Sequence, residues 1–101
     1  MIRVLQVLAN LNINSGMTGV VVNYHRHIDR GRVQFDYAYF EMGEENYSQE
    51  ILRLGGRIYQ MPKPGCNVFR AMSRLLEQHP EYQIIHCHPA WAPFFYGWGA
   101  P

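Results

Sequence analysis

The sequence predicts an α/β fold in which a parallel β-sheet carries helices on both faces. Four short apolar stretches, rich in β-branched and aromatic residues, have the character of strands. Between them lie segments whose apolar residues recur at helical spacing, and Gly, Asn or Pro separates most of these elements. Strands that alternate with helices favour parallel pairing through right-handed crossovers.

The first unit of this pattern is a strand, a loop and a helix. Residues 3–8 are almost continuously apolar, as is typical of a strand covered on both faces. A helix is predicted over 17–30, with Ser15 as its N-cap and Gly31 at its end. We expect its inner face to consist of Val20, Val21, Tyr24 and Ile28.

The second unit is aromatic and short. Residues 35–40 predict a strand, and Asn46 with Gln49 has the spacing of a capping box for a short helix. Gly55 and Gly56 are expected to end that helix. Its predicted inner face is Tyr47, Ile51 and Leu54.

The remaining elements follow the same alternation. Residues 57–61 predict a third strand, and residues 82–87 a fourth. Between them Asn67 is expected to cap a helix that Pro80 terminates. The apolar residues expected on one side of this helix are Val68, Phe69, Met72, Leu75 and Leu76. Pro89 to Gly97 could open a fourth helix, so the pattern resembles part of a larger doubly wound domain.

Composition excludes several classes of protein. Of 101 residues, 48% are hydrophobic and 17% charged, which excludes intrinsic disorder. The net charge of +1 comes without any block of like charge, so no nucleic-acid partner is expected. Cys66 and Cys87 are too few for a disulfide framework and favour free thiols in the cytoplasm. No apolar run approaches the ~20 residues that span a bilayer.

The loop after the first strand is one candidate binding site. Ser15, Gly16, Met17 and Thr18 stand at the start of the first helix, where free backbone N–H groups and the helix dipole favour an anion such as phosphate. Gly16 would allow a ligand to approach the backbone closely. The loop matches neither a dinucleotide fingerprint nor a Walker loop. An ordinary capped helix with a glycine turn is the alternative.

The end of the fourth strand is the other candidate. Strand alternation puts His86 and His88 on one face and Cys87 on the other. A metal would need further ligands, and Cys66 and His79 stand at opposite ends of a helix, so no metal site is predicted. Two interpretations stay open: a buried His86 held by backbone hydrogen bonds, and a substrate-facing His88. No catalytic triad or carboxylate pair is present.

Taken together, six segments in order resemble the start of GT4-type retaining glycosyltransferases, in particular bacterial enzymes of capsular and exopolysaccharide synthesis. The similarity covers essentially the whole chain. The segments are residues 2–8, 14–18, 23–29, 33–37, 54–59 and 82–88.

The resemblance implies a GT-B architecture, two Rossmann-like domains facing a cleft, of which residues 1–101 would form part of the N-terminal, acceptor-side domain. It implies that Ser15, Gly16, Met17 and Thr18 face the donor diphosphate and that His88 lies on the acceptor side. Ser15 and Thr18 replace a glycine and an acid usual in the family. The donor domain and the catalytic residues would lie outside this chain, which alone is expected to be inactive.

The resemblance also implies the ligands of the complete enzyme. They would be a nucleotide-sugar donor and a glycan or lipid-linked acceptor, with no cofactor and no metal. A cytoplasmic location is expected, and association with the inner face of the membrane stays open.

Two other classes of function remain from the residues alone. The first is a Rossmann-type module that binds a nucleotide or sugar phosphate, with Asp36 about 20 positions after the loop as its acidic residue. The second is a non-functional remnant of a longer gene product. Exposed aromatic residues would then make it prone to aggregate; they are Trp91, Phe94, Phe95 and Trp98.

Overall fold

Residues 1–62 and 66–88 are described in a computed structural model of the chain. Within these ranges strands and helices alternate strictly, as the sequence pattern predicts. The elements are β1 (Ile2–Asn10), α1 (Gly16–His27), β2 (Val33–Glu41), α2 (Ser48–Arg53), β3 (Ile58–Gln60), α3 (Cys66–Gln78) and β4 (Tyr82–Cys87).

The strands form one parallel sheet in the order β3-β2-β1-β4. Strand β1 is central and pairs with β2 from Ile2↔Val33 onward. On its other side it pairs with β4, in a register that sets Gln6 opposite His86. The chain therefore moves outward from β1 to β3 and then crosses back, so the strand order reverses between β1 and β4. The Rossmann-like α/β prediction is confirmed.

A separate apolar core lies on each face of the sheet, so the helices do cover both faces. Helices α1 and α2 pack on one face, with this cluster of buried residues: Leu8, Leu11, Val21, Val22, Tyr37, Tyr39 and Ile51. Helix α3 packs on the other, with Leu5, Val7, Ala38, Phe40, Met61, Met72 and Leu75. Each fully buried Leu, Val or Met side chain contributes roughly 1.5–3 kcal/mol of transfer free energy.

The predicted inner face of α1 is partly wrong. Val20 and Tyr24 are 55% and 64% exposed, whereas Thr18 and His25 are buried beside Val21. Apolar periodicity missed Thr18 and His25 because both are polar, yet both have hydrogen-bond partners inside the fold. A polar group that is hydrogen-bonded can be buried at little cost. The buried face of α1 is therefore the one with Thr18 and His25, and not the more apolar face with Val20 and Tyr24.

The helix ends also differ from prediction in part. Helix α1 stops at His27, and Ile28 takes an extended conformation, so Gly31 is not its C-cap. The predicted capping box is wrong, because the N-cap of α2 is Tyr47, which makes no side-chain capping bond. The Asn46 side-chain oxygen instead accepts a hydrogen bond from the Ser48 N–H, two residues further on, at 3.0 Å. Gly55 does end α2, with a φ of 91° that only glycine adopts easily.

The last part of the chain gives a mixed outcome. Strand β4 is confirmed, and α3 ends two residues before Pro80. Because α3 already begins at Cys66, Asn67 lies inside the helix and is not its N-cap. The predicted fourth helix, from Pro89 to Gly97, lies outside the described residues.

Candidate ligand crevice at the carboxyl ends of β1 and β4

A crevice of about 130 Å³ opens where β1 and β4 end, at the point where the strand order reverses. Ligands of open parallel sheets bind at this position because loops and helix N-termini diverge there. Four of the five residues predicted from the sequence line it, and Gly16 does not. The full lining is Leu8, Ala9, Asn10, Ser15, Met17, Thr18 and His88. The fold thus brings together two candidate sites that are about 70 residues apart in sequence.

The N-terminus of α1 forms one wall of the crevice. The Ser15 side chain accepts a hydrogen bond from the Thr18 N–H at 3.5 Å, which confirms Ser15 as the N-cap. The N–H groups of Gly16 and Met17 have no acceptor among the described residues, as expected for the first turn of a helix. This wall therefore presents backbone donors and the positive end of the helix dipole.

Thr18 is a structural link. Its hydroxyl donates to the Asn10 carbonyl oxygen at 2.7 Å, and the residue is 1% exposed. The bond ties the first turn of α1 to the end of β1. Asn12 continues this support, because its carbonyl accepts from the Ser15 N–H at 3.1 Å and its side chain from the Gly43 N–H at 2.7 Å.

Gly16 leaves open space at the start of α1. A Cβ atom built on it has nothing within 4 Å, and its φ is not positive. The fold itself therefore does not require glycine here. A side chain at this position would instead obstruct a ligand that approaches the Gly16 N–H.

His88 forms the opposite wall. Its N–H extends the pairing of β4 by donating to the Val7 carbonyl oxygen at 3.0 Å, and its ring Nε2 lies 2.8 Å from Gln6 Oε1. Burial lowers the pKa of His88, and the neighbouring His86 lowers that pKa further. His86 itself is exposed, so the interpretation that buries it is wrong.

The two histidines share one face, as predicted, with ring centroids 4.0 Å apart. Cys87, between them, packs against the core on the α3 side as a free thiol. Among the side chains of residues 1–62 and 70–88, no group of three or more His, Cys, Asp or Glu is arranged to hold a metal ion.

Asp36 does not lie where an acidic residue must lie to bind the ribose of a nucleotide. It is fully buried, and its carboxylate accepts hydrogen bonds from Arg3 at 3.1 Å and from Tyr82 at 2.5 Å. The Arg57 N–H donates to it at 2.8 Å. With its oxygens engaged in this way and no place in the crevice lining, Asp36 is not available to bind a ribose hydroxyl.

Gln6 is the residue of this site that the sequence reasoning missed. In the sequence it is a single polar residue within the otherwise apolar run of residues 4–8. The signal was nevertheless present, since side-chain alternation sets Gln6 and Leu8 on one face and parallel pairing brings β4 beside them.

The chain is 31% identical over 90 residues to the protein named "Putative glycosyltransferase EpsF" of Bacillus subtilis (strain 168). The aligned region is 85% of this chain but 23% of that protein, so the chain spans about a quarter of the length of this relative. No known protein-family profile matches the chain, and no solved structure is significantly similar to it. None of the described helices is long and apolar enough to cross a membrane.

Proposed function

We propose that this chain is the acceptor-side part of a GT4-type retaining glycosyltransferase with GT-B architecture, acting in bacterial surface-polysaccharide synthesis. The observation that carries the proposal is the similarity to EpsF along most of the chain. The reaction would transfer a sugar from a nucleotide-sugar to a glycan or lipid-linked acceptor. A second domain, outside these 101 residues, would hold most of the donor.

The crevice has the groups that such a role needs. The free N–H groups of Gly16 and Met17 suit the oxygens of a donor diphosphate, whose negative charge the helix dipole also stabilises. Ser15 and Thr18 fix this first turn, and His88 faces it across the crevice. In glycosyl transfer, stabilisation of the departing diphosphate lowers the barrier, and positioned donors supply part of that stabilisation.

The 101-residue chain by itself is proposed to be inactive. None of the lining residues of the crevice is a lysine or arginine, the cations that usually neutralise a departing diphosphate. We therefore expect those cations and the residues closest to the reacting sugar to come from the rest of the complete enzyme. In the cell, we expect the enzyme to act in the cytoplasm, at the inner face of the membrane when its acceptor is lipid-linked.

Gly16→Ala provides the sharpest test. The complete polypeptide encoded by the gene would be assayed for transfer of labelled sugar from UDP- and GDP-sugars to lipid and glycan extracts. Because the added Cβ meets no protein atom, the variant should keep its thermal stability. It should lose transfer at least tenfold, about 1.4 kcal/mol in barrier, because the methyl group obstructs the ligand at the Gly16 N–H.

Gly19→Ala is the matched control. It makes the same change one turn further along α1, where the new Cβ would lie 3.5 Å from the Tyr47 hydroxyl in ordinary contact. The Gly19 N–H already donates to the Ser15 carbonyl oxygen at 3.0 Å and is not available to a ligand, so transfer should be unchanged. Equal loss in both variants, or no transfer by the wild-type polypeptide with any of the donors, would contradict the proposal.

A further inference from the structure

Gln6 is a buried amide in the middle of an apolar strand. It is 4% exposed in β1, and its neighbours Leu5 and Val7 have no exposed surface. An amide at such a position is costly to bury unless it is hydrogen-bonded. Its side chain lies on the α1 side of the sheet, in the register that also brings His86 and His88 to that face.

The hydrogen bond of Gln6 determines which nitrogen of His88 carries the proton. Gln6 Oε1 lies 2.8 Å from His88 Nε2, and a carboxamide oxygen can only accept. The Nε2 atom must therefore be the donor. Burial and the proximity of His86 lower the pKa of His88, which favours the neutral ring with a single proton.

The other ring nitrogen is left for a ligand. In a neutral imidazole protonated on Nε2, Nδ1 carries a lone pair and can only accept. Among the described residues Nδ1 has no hydrogen-bond partner. The crevice thus combines an acceptor on His88 with the first turn of α1, where Met17 lines the crevice and its N–H has no acceptor among the described residues.

We propose that Gln6 is a positioning residue that holds His88 as its Nε2-protonated tautomer, so that Nδ1 accepts a hydrogen bond from a hydroxyl group of a sugar in the crevice. The identity of the sugar as a glycosyl acceptor rests on the proposed function. The role of Gln6 does not, because the hydrogen bond to His88 exists within the chain.

The test is ¹⁵N NMR of the histidine rings of the 101-residue chain. In the wild type we expect His88 to show a protonated Nε2 and an unprotonated Nδ1 at neutral pH. Gln6→Leu should convert this signal to a mixture of tautomers, because no acceptor then favours the Nε2 proton. Gln83→Leu, the same change at an exposed position of β4, should leave His88 as in the wild type. A proton on Nδ1 of wild-type His88, or an unchanged tautomer in Gln6→Leu, would overturn the proposal.

Gln6→Glu is a second variant, which tests the proposal even if Gln6→Leu does not fold. It keeps a hydrogen-bond acceptor at position 6. Its carboxylate should preserve the Nε2 proton and also raise the pKa of His88, so that Nδ1 becomes protonated at a higher pH than in the wild type. A wild-type pKa in this variant would count against direct contact between residue 6 and His88.

Octyl β-glucoside, a sugar carrying a lipid-like chain, is the probe for the ligand. Titration below its micelle concentration should shift the Nδ1 resonance of His88 in the wild type. The affinity should be about 2–10-fold weaker in Gln6→Leu, the range expected for one hydrogen bond. Absence of any Nδ1 shift in the wild type would overturn sugar binding at His88. Loss of glycosyl transfer with the tautomer intact would instead contradict only the proposed function.

Discussion

Asp36 is the most heavily hydrogen-bonded carboxylate in the described part of the chain. Burial alone raises the pKa of Asp36, but hydrogen bonds from Arg3, from Tyr82 and from the Arg57 backbone outweigh burial and leave that pKa lowered. These bonds link β1, β2 and β4 near the amino-terminal ends of the strands, opposite the crevice. Asp36 therefore stabilises the sheet that supports the site.

Replacing this carboxylate should be costly. Asp36→Asn should lower the free energy of unfolding by about 3 kcal/mol, because it leaves Arg3 and Arg57 without their shared counter-charge. Since the folded pKa is lowered, the stabilisation by Asp36 is complete above about pH 4 and is lost as pH falls towards the folded pKa. Urea unfolding at pH 7 and pH 3 measures both effects.

Asp29→Asn is the control for that experiment. Its ion pair with Arg32 is on the surface, with both side chains more than two-thirds exposed, so the loss should stay below about 0.5 kcal/mol. A comparable loss in the two variants would contradict the role assigned to Asp36.

His25 should make the stability depend on pH in a different range. It is fully buried, with its ring nitrogens bonded to Tyr37 and Gln34, and burial lowers its pKa. The folded state thus binds a proton less readily than the unfolded state. The stabilisation of the fold by neutral His25 is therefore complete above about pH 6.5 and is lost as pH falls towards the folded pKa of His25.

The measurement is the free energy of unfolding between pH 7.5 and pH 5. In His25→Gln the free energy of unfolding should depend less steeply on pH. At neutral pH it should be lower than in the wild type by about 1–3 kcal/mol, because buried hydrogen bonds are lost. His27→Gln, at an exposed position on the same helix, should keep the wild-type slope. An unchanged slope in His25→Gln would show that other groups cause the pH dependence.

At the scale of elements, the turn after α2 packs closely against β2. A Cβ atom on Gly56 would lie 2.7 Å from the Phe35 carbonyl oxygen and 2.9 Å from the Ile51 side chain. This close approach sets the turn that follows the six-residue helix α2 directly against β2.

Gly56→Ala should therefore destabilise the chain by about 2 kcal/mol, since backbone must move to accommodate the methyl group. Gly19→Ala, inside α1, should instead stabilise it by about 0.5–1 kcal/mol through helix propensity. Thermal unfolding of both variants distinguishes the two effects. A Gly56→Ala variant as stable as the wild type would contradict the close packing of this turn.

At the scale of the whole molecule, β4 and the helix beside it expose apolar side chains. Ile84 of β4 is 50% exposed, and Met17 and Val20 of α1, exposed to a similar degree, line a groove together with His86 of β4. In the described part of the chain, β4 pairs with β1 on one side only. An unpaired edge next to exposed apolar side chains promotes association between copies.

We therefore expect the 101-residue chain to self-associate, and Ile84→Lys to reduce this association without loss of stability. The substitution places a charge at an exposed position on an edge strand, the arrangement that prevents edge-to-edge pairing. Leu52→Lys, at a 54% exposed position of α2, is the matched control and should change little. Sedimentation velocity over a range of concentrations measures the effect; equal behaviour of the two variants would contradict it.

The elements and their order follow from local signals in the sequence. Runs such as residues 3–8 and 82–87 are apolar enough to identify strands, although β4 is half-buried to exposed in the fold. Local chemistry identified Ser15 as a cap and Gly55 as a helix end. These signals are local, because each depends on the backbone conformation of a few neighbouring residues.

Contacts between distant segments determine which polar residues are buried and which candidate site residues lie together. Thr18 and His25 are inside because of partners on β1 and β2, and Gln6 acquires a role because β4 returns beside β1. Apolar periodicity records neither effect, since hydrogen bonds between distant segments form only when the sheet has assembled. The crevice exists for the same reason: two loops far apart in sequence end at one edge of a parallel sheet.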